Sequence, residues 1–486
     1  MKNNKRLVFG LASLSLLAAT LVGCGGNSGG GSNKIKIVFG HTFGDKIETA
    51  LNTRIKMFKD LVKENEGVDL DVELLYLGGY SDVSTKITTY FADGTLPTMT
   101  VAYPDAVADF IRQFGTKYVV NFDDYINDPE LTFGTDRYLG DKEGVDDFVQ
   151  SFLQEGQQFT VEGTYSIPFL KSSEVMIYNV DAATEAMRYY NPSIVSEGKV
   201  EQTIANFTWD EFMAFAKVAY EHRSDINNKL EVPVFYDSDA NMFITQMYQE
   251  GYQYSSIKNG KGHIDFDDGP NGVNYKGAVS LLDDYKDWHT KGYLTTKGVV
   301  GTYASNYFKE GKCIFSIGSS GGGGYTFPSA GTFTSTVCKV PYRNNTPYYI
   351  SQGASIAFLR NPTFSDAKNE LTLKYAWKFL KYITSTKQNT YICLKGSEGY
   401  VPVRTSCYST EEYFQFIEEG DNYAKLAKVV TDDINGRYIN TAVFSGSATL
   451  RTAVGSAVTE YLTGKVATSS GAIDAAINTA KADMEE

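Results

Sequence analysis

Four histidines, His41, His222, His263 and His289, are the chain's whole supply of imidazole, and no two are spaced as HExxH or another metal pair. A GxSxG nucleophile elbow and a GxxxxGK(S/T) phosphate loop are absent as well. Acidic residues occur in adjacent pairs such as Asp123-Asp124 and Asp283-Asp284. Sequence neighbours do not converge on one substrate atom, whereas a glycosidase needs two carboxylates facing each other. Two stretches imitate calcium loops. Asp237-Ser-Asp239-Ala-Asn241 lacks the glycine at the sixth position and has Tyr248 where glutamate is needed; Asp265-Phe-Asp267-Asp268-Gly269 has the wrong spacing. Both read as solvated turns, and no metal or cofactor is expected. What remains is the chemistry of hydroxyl groups and aromatic faces. Tyrosine is the compositional outlier, 34 residues against 3 tryptophans. That excess suits a wet, polar, aromatic-lined binding surface, with many of the rings serving as amphipathic core.

Elements to position such a surface are legible from periodicity. Lys34 to Gly40 alternates as a strand, residues 45 to 64 have helical spacing, and Val68 to Leu77 alternates again, a βαβ opening. A helix at 80 to 93 and a short buried strand from Thr98 to Tyr103 continue the pattern of a parallel sheet. Further strands are expected at 174 to 179, 312 to 318 and 350 to 359, with helices from Thr208, around 241 to 250, at 272 to 291, 366 to 385 and 387 to 394. Thr208-Trp209-Asp210-Glu211 reads as a capping box, and Trp209, Trp288 and Trp377 fall on core-facing helical positions. Gly321 to Gly324 reads as a flexible loop, and the tail from 445 to 486 as helix. No internal repeat is evident.

The amino terminus adds compartment. Lys2, Lys5 and Arg6 precede an apolar run from 7 to 22, and Leu21-Val22-Gly23-Cys24 has the form of a lipoprotein cleavage site. Residues 1–23 are therefore expected to be removed as a signal peptide, with Cys24 acylated and 24–33 a Gly/Ser tether. The 463 remaining residues are too many for one ordinary core and imply two lobes. The net charge of −13, or −16 once three leader cations are lost, argues against nucleic acid and anionic lipid as partners. Cys313, Cys338, Cys393 and Cys407 form no CxxC motif; they either pair, 313 with 338 or 393 with 407, or are buried thiols.

From Lys34 onward the order of elements resembles the extracellular solute-binding proteins of carbohydrate-type ABC importers. Four stretches carry the resemblance: Ile167-Pro-Phe-Leu-Lys-Ser-Ser-Glu174 followed by Tyr178-Asn-Val-Asp181; Thr208 to Phe212; Gly311-Lys-Cys-Ile-Phe315; and Gly399-Tyr-Val-Pro402. Within that family the pattern is most similar to the branch that binds sn-glycerol 3-phosphate and its diesters, through Gly40-His41-Thr42, Gly78-Gly79-Tyr80, Pro168-Phe169 with Ser172-Ser173, Ser319-Ser320-Gly321 and Gly353-Ala354-Ser355. The chain departs from the branch in having Pro104 and then Asp105 after Tyr103, and in placing Arg451 away from that branch's late arginine.

The resemblance implies an α/β, two-lobed periplasmic-binding-protein-like fold of type II with a hinge. One lobe would comprise 34–160 and 319–365, the other 161–318 and 366–486. The implied ligand residues are Tyr80, Ser172 or Ser173, Ser319 or Ser320, Gly353 and Tyr400. His41, Tyr103 and Arg404 are further candidates, Arg404 and Lys171 as partners for an anion. The implied function is capture of a sugar, oligosaccharide or glycerol-phosphate-like polyol by hinge closure, and delivery to an ABC permease by a lipid-anchored monomer on the outer face of the cell membrane. A lipid-anchored glycoside hydrolase and an adhesin or sensor lipoprotein are the competing functions.

Overall fold

Residues 34–344, 346–397, 399–432 and 438–484 are described by a computed structural model. The leader, Cys24 and the tether lie outside the described residues. In strand β1, Ile35–His41, alternate residues Ile37 and Phe39 are fully buried. The helix Asp45–Glu66 follows, burying Ile47, Leu51, Ile55, Phe58 and Val62 at helical spacing, and stops at Gly67 in the left-handed region at φ 71°. The chain then returns as β2, Leu70–Tyr76, parallel to β1, with β3, Met99–Ala102, on the other side of β1.

The next strand organises the molecule. All thirteen residues of β4, Ile167–Asn179, are buried, and the strand changes partner midway along its length. The other strands are β5 Val234–Tyr236, β6 Ser255–Lys258, β7 Lys261–Ile264, β8 Leu294–Thr296, β9 Phe315–Ser319, β10 Ser335–Lys339, β11 Tyr349–Phe358 and β12 Tyr438–Ile439. The main sheet runs β2-β1-β3-β11-β4-β9-β5-β8. Ile167 to Ser173 of β4 pairs with β11, ending at Ser173 opposite Ser351. From Glu174, opposite Ser319, β4 pairs instead with β9, and Val175 to Asn179 also pair with β10. Two sheet halves thus meet along one continuous strand, and Ser172, Ser173 and Glu174 sit where they meet.

Beside the junction Gly353 adopts φ 97°, next to a register shift in β11 at Ala354 and Ser355. A Cβ there would stand 2.3 Å from the Leu170 carbonyl oxygen, so only glycine lets β11 approach β4 so closely.

The capping box is present: Thr208 Oγ1 accepts from the Glu211 amide and Glu211 accepts from the Thr208 amide, starting the helix Trp209–Glu221. All three tryptophans are buried, Trp209 stacking on Trp288 at 5.8 Å. Helices Ser447–Thr463 and Ser469–Met484 occupy the tail and pack on each other.

Several expectations are corrected. Residues 321–324 form no open loop; they belong to a tight turn, Ser320–Gly322, and a short helix, Gly323–Thr326. The helices Asp366–Ile383 and Thr386–Gly396, grouped by sequence with the second lobe, pack on β1 and on Asp45–Glu66. Phe379 meets Phe39 and Phe58, and Tyr382 meets Phe58. Asp239 and Asp265 are buried rather than solvated. Asp239 accepts from Thr296 Oγ1 and the Gly298 amide, and Asp265 from Ser256 and Lys258. Of the two alternatives left open for the four body cysteines, the structure has the second, free buried thiols. Among the described residues no helix is long and apolar enough to cross a membrane.

Candidate functional site

A cavity of about 1130 Å³ opens beside the junction, its wall drawn from both sheet halves. Three tyrosines form one side. Tyr80 opens the short turn after β2, fixed by the Gly79 amide donating to Asp82. Tyr103 ends β3 and caps the helix Pro104–Phe114, whose first residue is a proline preset for helical φ. Tyr400 precedes Val401, which bridges to Lys171 of β4. The Tyr80 and Tyr103 rings lie 4.6 Å apart and tilted by 48°. Tyr400 packs so closely over the chain that a Cβ on Gly321 would stand 2.8 Å from its ring. Burial pushes all three phenols above their ordinary pKa, so each stays a neutral donor and acceptor.

The two serine pairs split, Ser172 and Ser173 by the alternation of β4, Ser319 and Ser320 because β9 ends at Ser319 and the chain turns at Ser320. Ser172 and Ser319 line the cavity, their hydroxyl oxygens 3.3 Å apart. Ser173 and Ser320 lie behind the wall: Ser173 Oγ donates to the Ile350 carbonyl at 2.9 Å and Ser320 Oγ to the Gly399 carbonyl at 2.8 Å. Gly353 is also a supporting residue, its amide directed at the Tyr103 hydroxyl.

Two expected ligand residues are elsewhere. His41 is 1 % exposed; its Nδ1 accepts from the Phe43 amide and its ring stacks on Phe43. Burial lowers its pKa against the pull of Glu48, and it is neighbouring Thr42 that reaches the cavity. Arg404 is fully buried away from the cavity, donating to the carbonyls of Thr384 and Gly144 at 2.6 and 2.9 Å, with Asp141 and Asp147 within 4 Å and Phe148 under its guanidinium. It fastens the 133–148 segment to the core and cannot meet a ligand anion. Lys171 is likewise occupied, paired to Glu155 at 2.5 Å inside the protein.

The sequence reading missed the polar floor. Glu174, 3 % exposed, accepts from the Tyr236 hydroxyl at 2.6 Å and from Asn241 Nδ2 at 3.0 Å. Asn241 in turn accepts from Arg451 Nη2, on the first turns of the helix Ser447–Thr463. Burial pushes the Glu174 carboxyl up to about 7, although Tyr236, Asn241 and Arg451 favour its ionised form. Asp237 is pushed up to about 6 by burial, opposed by the Ala304 amide and Lys297. Asn241 had been noticed as part of a false calcium loop and Arg451 as a displaced arginine; nothing local announced that they meet.

Six residues of the wall each carry a buried polar atom with no hydrogen-bond partner among the described residues: Thr42 Oγ1, Tyr80 OH, Tyr254 OH, Ser351 Oγ, Gln352 Oε1 and Asn440 Oδ1. Tyr80 OH is turned toward Thr42 and Tyr400 without a hydrogen bond of normal geometry to either. Each such group costs about 1–3 kcal/mol when it is left unmatched, so the wall is built to be completed by a molecule rich in hydroxyls or by water.

Solved structures share this architecture. The cyclic alpha-maltosyl-1,6-maltose binding protein from Arthrobacter globiformis superposes with a TM-score of 0.66 at 18% identity, covering 93% of this chain and 100% of that one. UgpB from Mycobacterium tuberculosis, in complex with glycerophosphocholine, gives 0.66 at 15% identity over 94% and 99% of the two chains. An ABC substrate-binding protein from Listeria monocytogenes, in complex with cycloalternan, gives 0.67 at 16% identity over 93% and 100%. The fold is therefore the two-lobed α/β architecture of the type II binding proteins. No curated protein matches the sequence. A family model does, across residues 55–419, and with strands, junction and cavity arranged as above, the chain belongs to the bacterial extracellular solute-binding proteins.

Proposed function

We propose that this protein captures an uncharged polyhydroxylated solute, a sugar or oligosaccharide, in the cavity and hands it to the membrane permease of an ABC importer. The observation that carries this reading is one cavity wall that combines three neutral tyrosines, the Ser172 and Ser319 hydroxyls and six residues with an unpartnered buried polar atom. Tyrosine rings cover the C–H face of a pyranose while their hydroxyls and the neighbouring serine and amide groups match its hydroxyls. Charge gives no net pull toward a phosphate: with Glu155 paired to Lys171 and the Glu174 carboxyl raised to about 7, Asp105, Asp109 and Asp237 on the wall balance Lys297, Lys309 and Arg451. Among the structural relatives, one is a cyclic alpha-maltosyl-1,6-maltose binding protein, one is in complex with cycloalternan and one with glycerophosphocholine.

Binding rather than hydrolysis is favoured because three of the five carboxylates on the wall are already committed to the protein. Glu155 is paired with Lys171, Glu174 is bonded to Tyr236 and Asn241, and Asp237 accepts from the Ala304 amide. Closure would bend the chain where β4 changes partner between Ser173 and Glu174. Contacts made by both halves only in the closed state must favour it by ~5.5 kcal/mol to move the open to closed ratio from 99:1 to 1:99. The Cys24 acyl anchor would keep the monomer beside its permease; a Cys24→Ala chain is expected in the culture medium instead of the membrane fraction.

The test is thermal stabilisation of the protein by neutral glycans, polyols and glycerol phosphates. At 100 times its dissociation constant a ligand adds ~2.7 kcal/mol. Glycans are expected to stabilise, and Tyr80→Ala and Tyr400→Ala to abolish the effect. Stabilisation by glycerol phosphates alone would replace the ligand class, and no shift with any small solute would overturn the reading.

A further inference from the structure

The inner tyrosines occupy only part of a cavity larger than the 300–1,000 Å³ that usually encloses a compact ligand. Its rim carries two aromatic rings that the fold leaves in water, Tyr303 at 55 % and Tyr325 at 69 % exposure. Neither is a stray surface residue. Tyr303 caps the helix Ala304–Lys309, whose Ala304 amide is tied to Asp237 of the wall at 2.7 Å, and Lys297 Nζ sits 3.6 Å from the ring centroid, engaging one face and leaving the other free. Tyr325 rises from the short helix Gly323–Thr326, which packs against the helix Ala304–Lys309. Its hydroxyl reaches across to Gly44, at the start of the helix Asp45–Glu66, where a Cβ would stand 3.4 Å away. Tyr325 also lies near enough to Tyr400 to act on it electrostatically, which puts one rim ring in reach of the inner group.

We propose that Tyr303 and Tyr325 form an outer subsite that receives the distal units of an oligosaccharide whose first unit rests on Tyr80, Tyr103 and Tyr400. This rests on the reading of the cavity as a glycan site and adds length selectivity to it. An amphipathic ring held at a rim gains from covering the apolar face of a sugar and loses nothing by keeping its hydroxyl wet, whereas a single pyranose seated on the inner tyrosines leaves both rim rings uncovered. Affinity should therefore climb with chain length, and the increment should reside in these two side chains.

Titration calorimetry of the full chain against neutral glycans of one to six units, in several linkages, separates the possibilities. For the linkage that binds, the longer glycans are expected to bind about tenfold more tightly for each rim ring they cover. Tyr303→Ala and Tyr325→Ala should each remove about one such factor, and the double variant should bind long glycans only as tightly as the shortest ligand that binds. Affinity for that shortest ligand should change less than twofold in both variants. Because both rings are exposed, the melting temperatures of the free variants should match the parent, which separates a binding loss from a folding loss. Affinity independent of length, or a double variant that keeps the length dependence, overturns the outer subsite while leaving the glycan site intact. Absence of binding by every glycan overturns both.

Discussion

Replacing Glu174 by glutamine should stabilise the protein at alkaline pH and leave it nearly unchanged in acid. The carboxyl lies at the junction of the sheet halves, excluded from water, and its pKa is pushed from an ordinary 4.5 up to about 7 chiefly by that burial. Asp237 pushes in the same direction, and Tyr236, Asn241 and Arg451 oppose it. Between these two pH values the native protein binds a proton that the unfolded chain has released, so the stability Glu174 contributes is full below pH 4.5 and declines as pH rises to 7. A shift of about 2.5 units at 1.36 kcal/mol each makes the decline about 3 kcal/mol. Glutamine mimics the protonated acid: its carbonyl can accept from Asn241 Nδ2 and its amide can donate to the Tyr236 oxygen, the two contacts now at 3.0 and 2.6 Å. Urea denaturation of parent and Glu174→Gln at pH 5 and pH 8 measures the difference, in which titrating groups that do not interact with Glu174, such as Asp109, cancel. The variant is expected within about 1 kcal/mol of the parent at pH 5 and up to about 3 kcal/mol more stable at pH 8. If it is less stable at both, Glu174 is an ionised partner of Arg451 that the fold requires, and the argument from burial is refuted.

Three further outcomes follow from the packing. Arg404→Met should destabilise by about 3–5 kcal/mol, since Asp141 and Asp147 lose their buried cation, while ligand affinity in calorimetry stays within twofold; a selective affinity loss would return Arg404 to the binding site. Gly353→Ala should cost about 1–3 kcal/mol in chemical denaturation and weaken ligand binding too, because relieving the clash with Leu170 moves the strand that supports Tyr103; an unchanged variant would mean that β11 can back away freely. The four body thiols, all raised by burial and Cys407 to about 11, should resist a thiol reagent at pH 8 in the native protein and all react once it is unfolded without reductant; a count of two would reveal a disulfide.

What could be read in advance was whatever is governed by neighbours along the chain. The βαβ opening, the Thr208 capping box and the buried tryptophans depend on periodicity and on contacts three or four residues apart, and all are present. The choices between Ser172 and Ser173, and between Ser319 and Ser320, are of another kind. In β4 alternation guarantees that one serine faces the cavity and its neighbour faces away, but which is which depends on the register of β4 against β9 and β11, and the choice between Ser319 and Ser320 depends on where β9 ends, both long-range properties. Arg404 shows the cost of treating nearness in sequence as nearness in space. It is four residues from Tyr400, yet the stretch between them carries its side chain away from the cavity and into the core beside Phe133 and Phe148, where a buried cation persists because Asp141 and Asp147 arrive from a distant segment. Arg451 is the converse case. Some 200 residues separate it from Asn241, and its place on the cavity floor exists only because the helix Ser447–Thr463 packs on the helix Asp239–Gln249, so that Glu174, Asn241 and Arg451 form one relay from three elements. A binding site assembled at the meeting of two sheet halves must draw its specificity from such distant pairs. Local patterns can therefore announce that a cleft exists, through its strand ends and tyrosines, while the polar groups that select the ligand become visible only when the chain has closed around them.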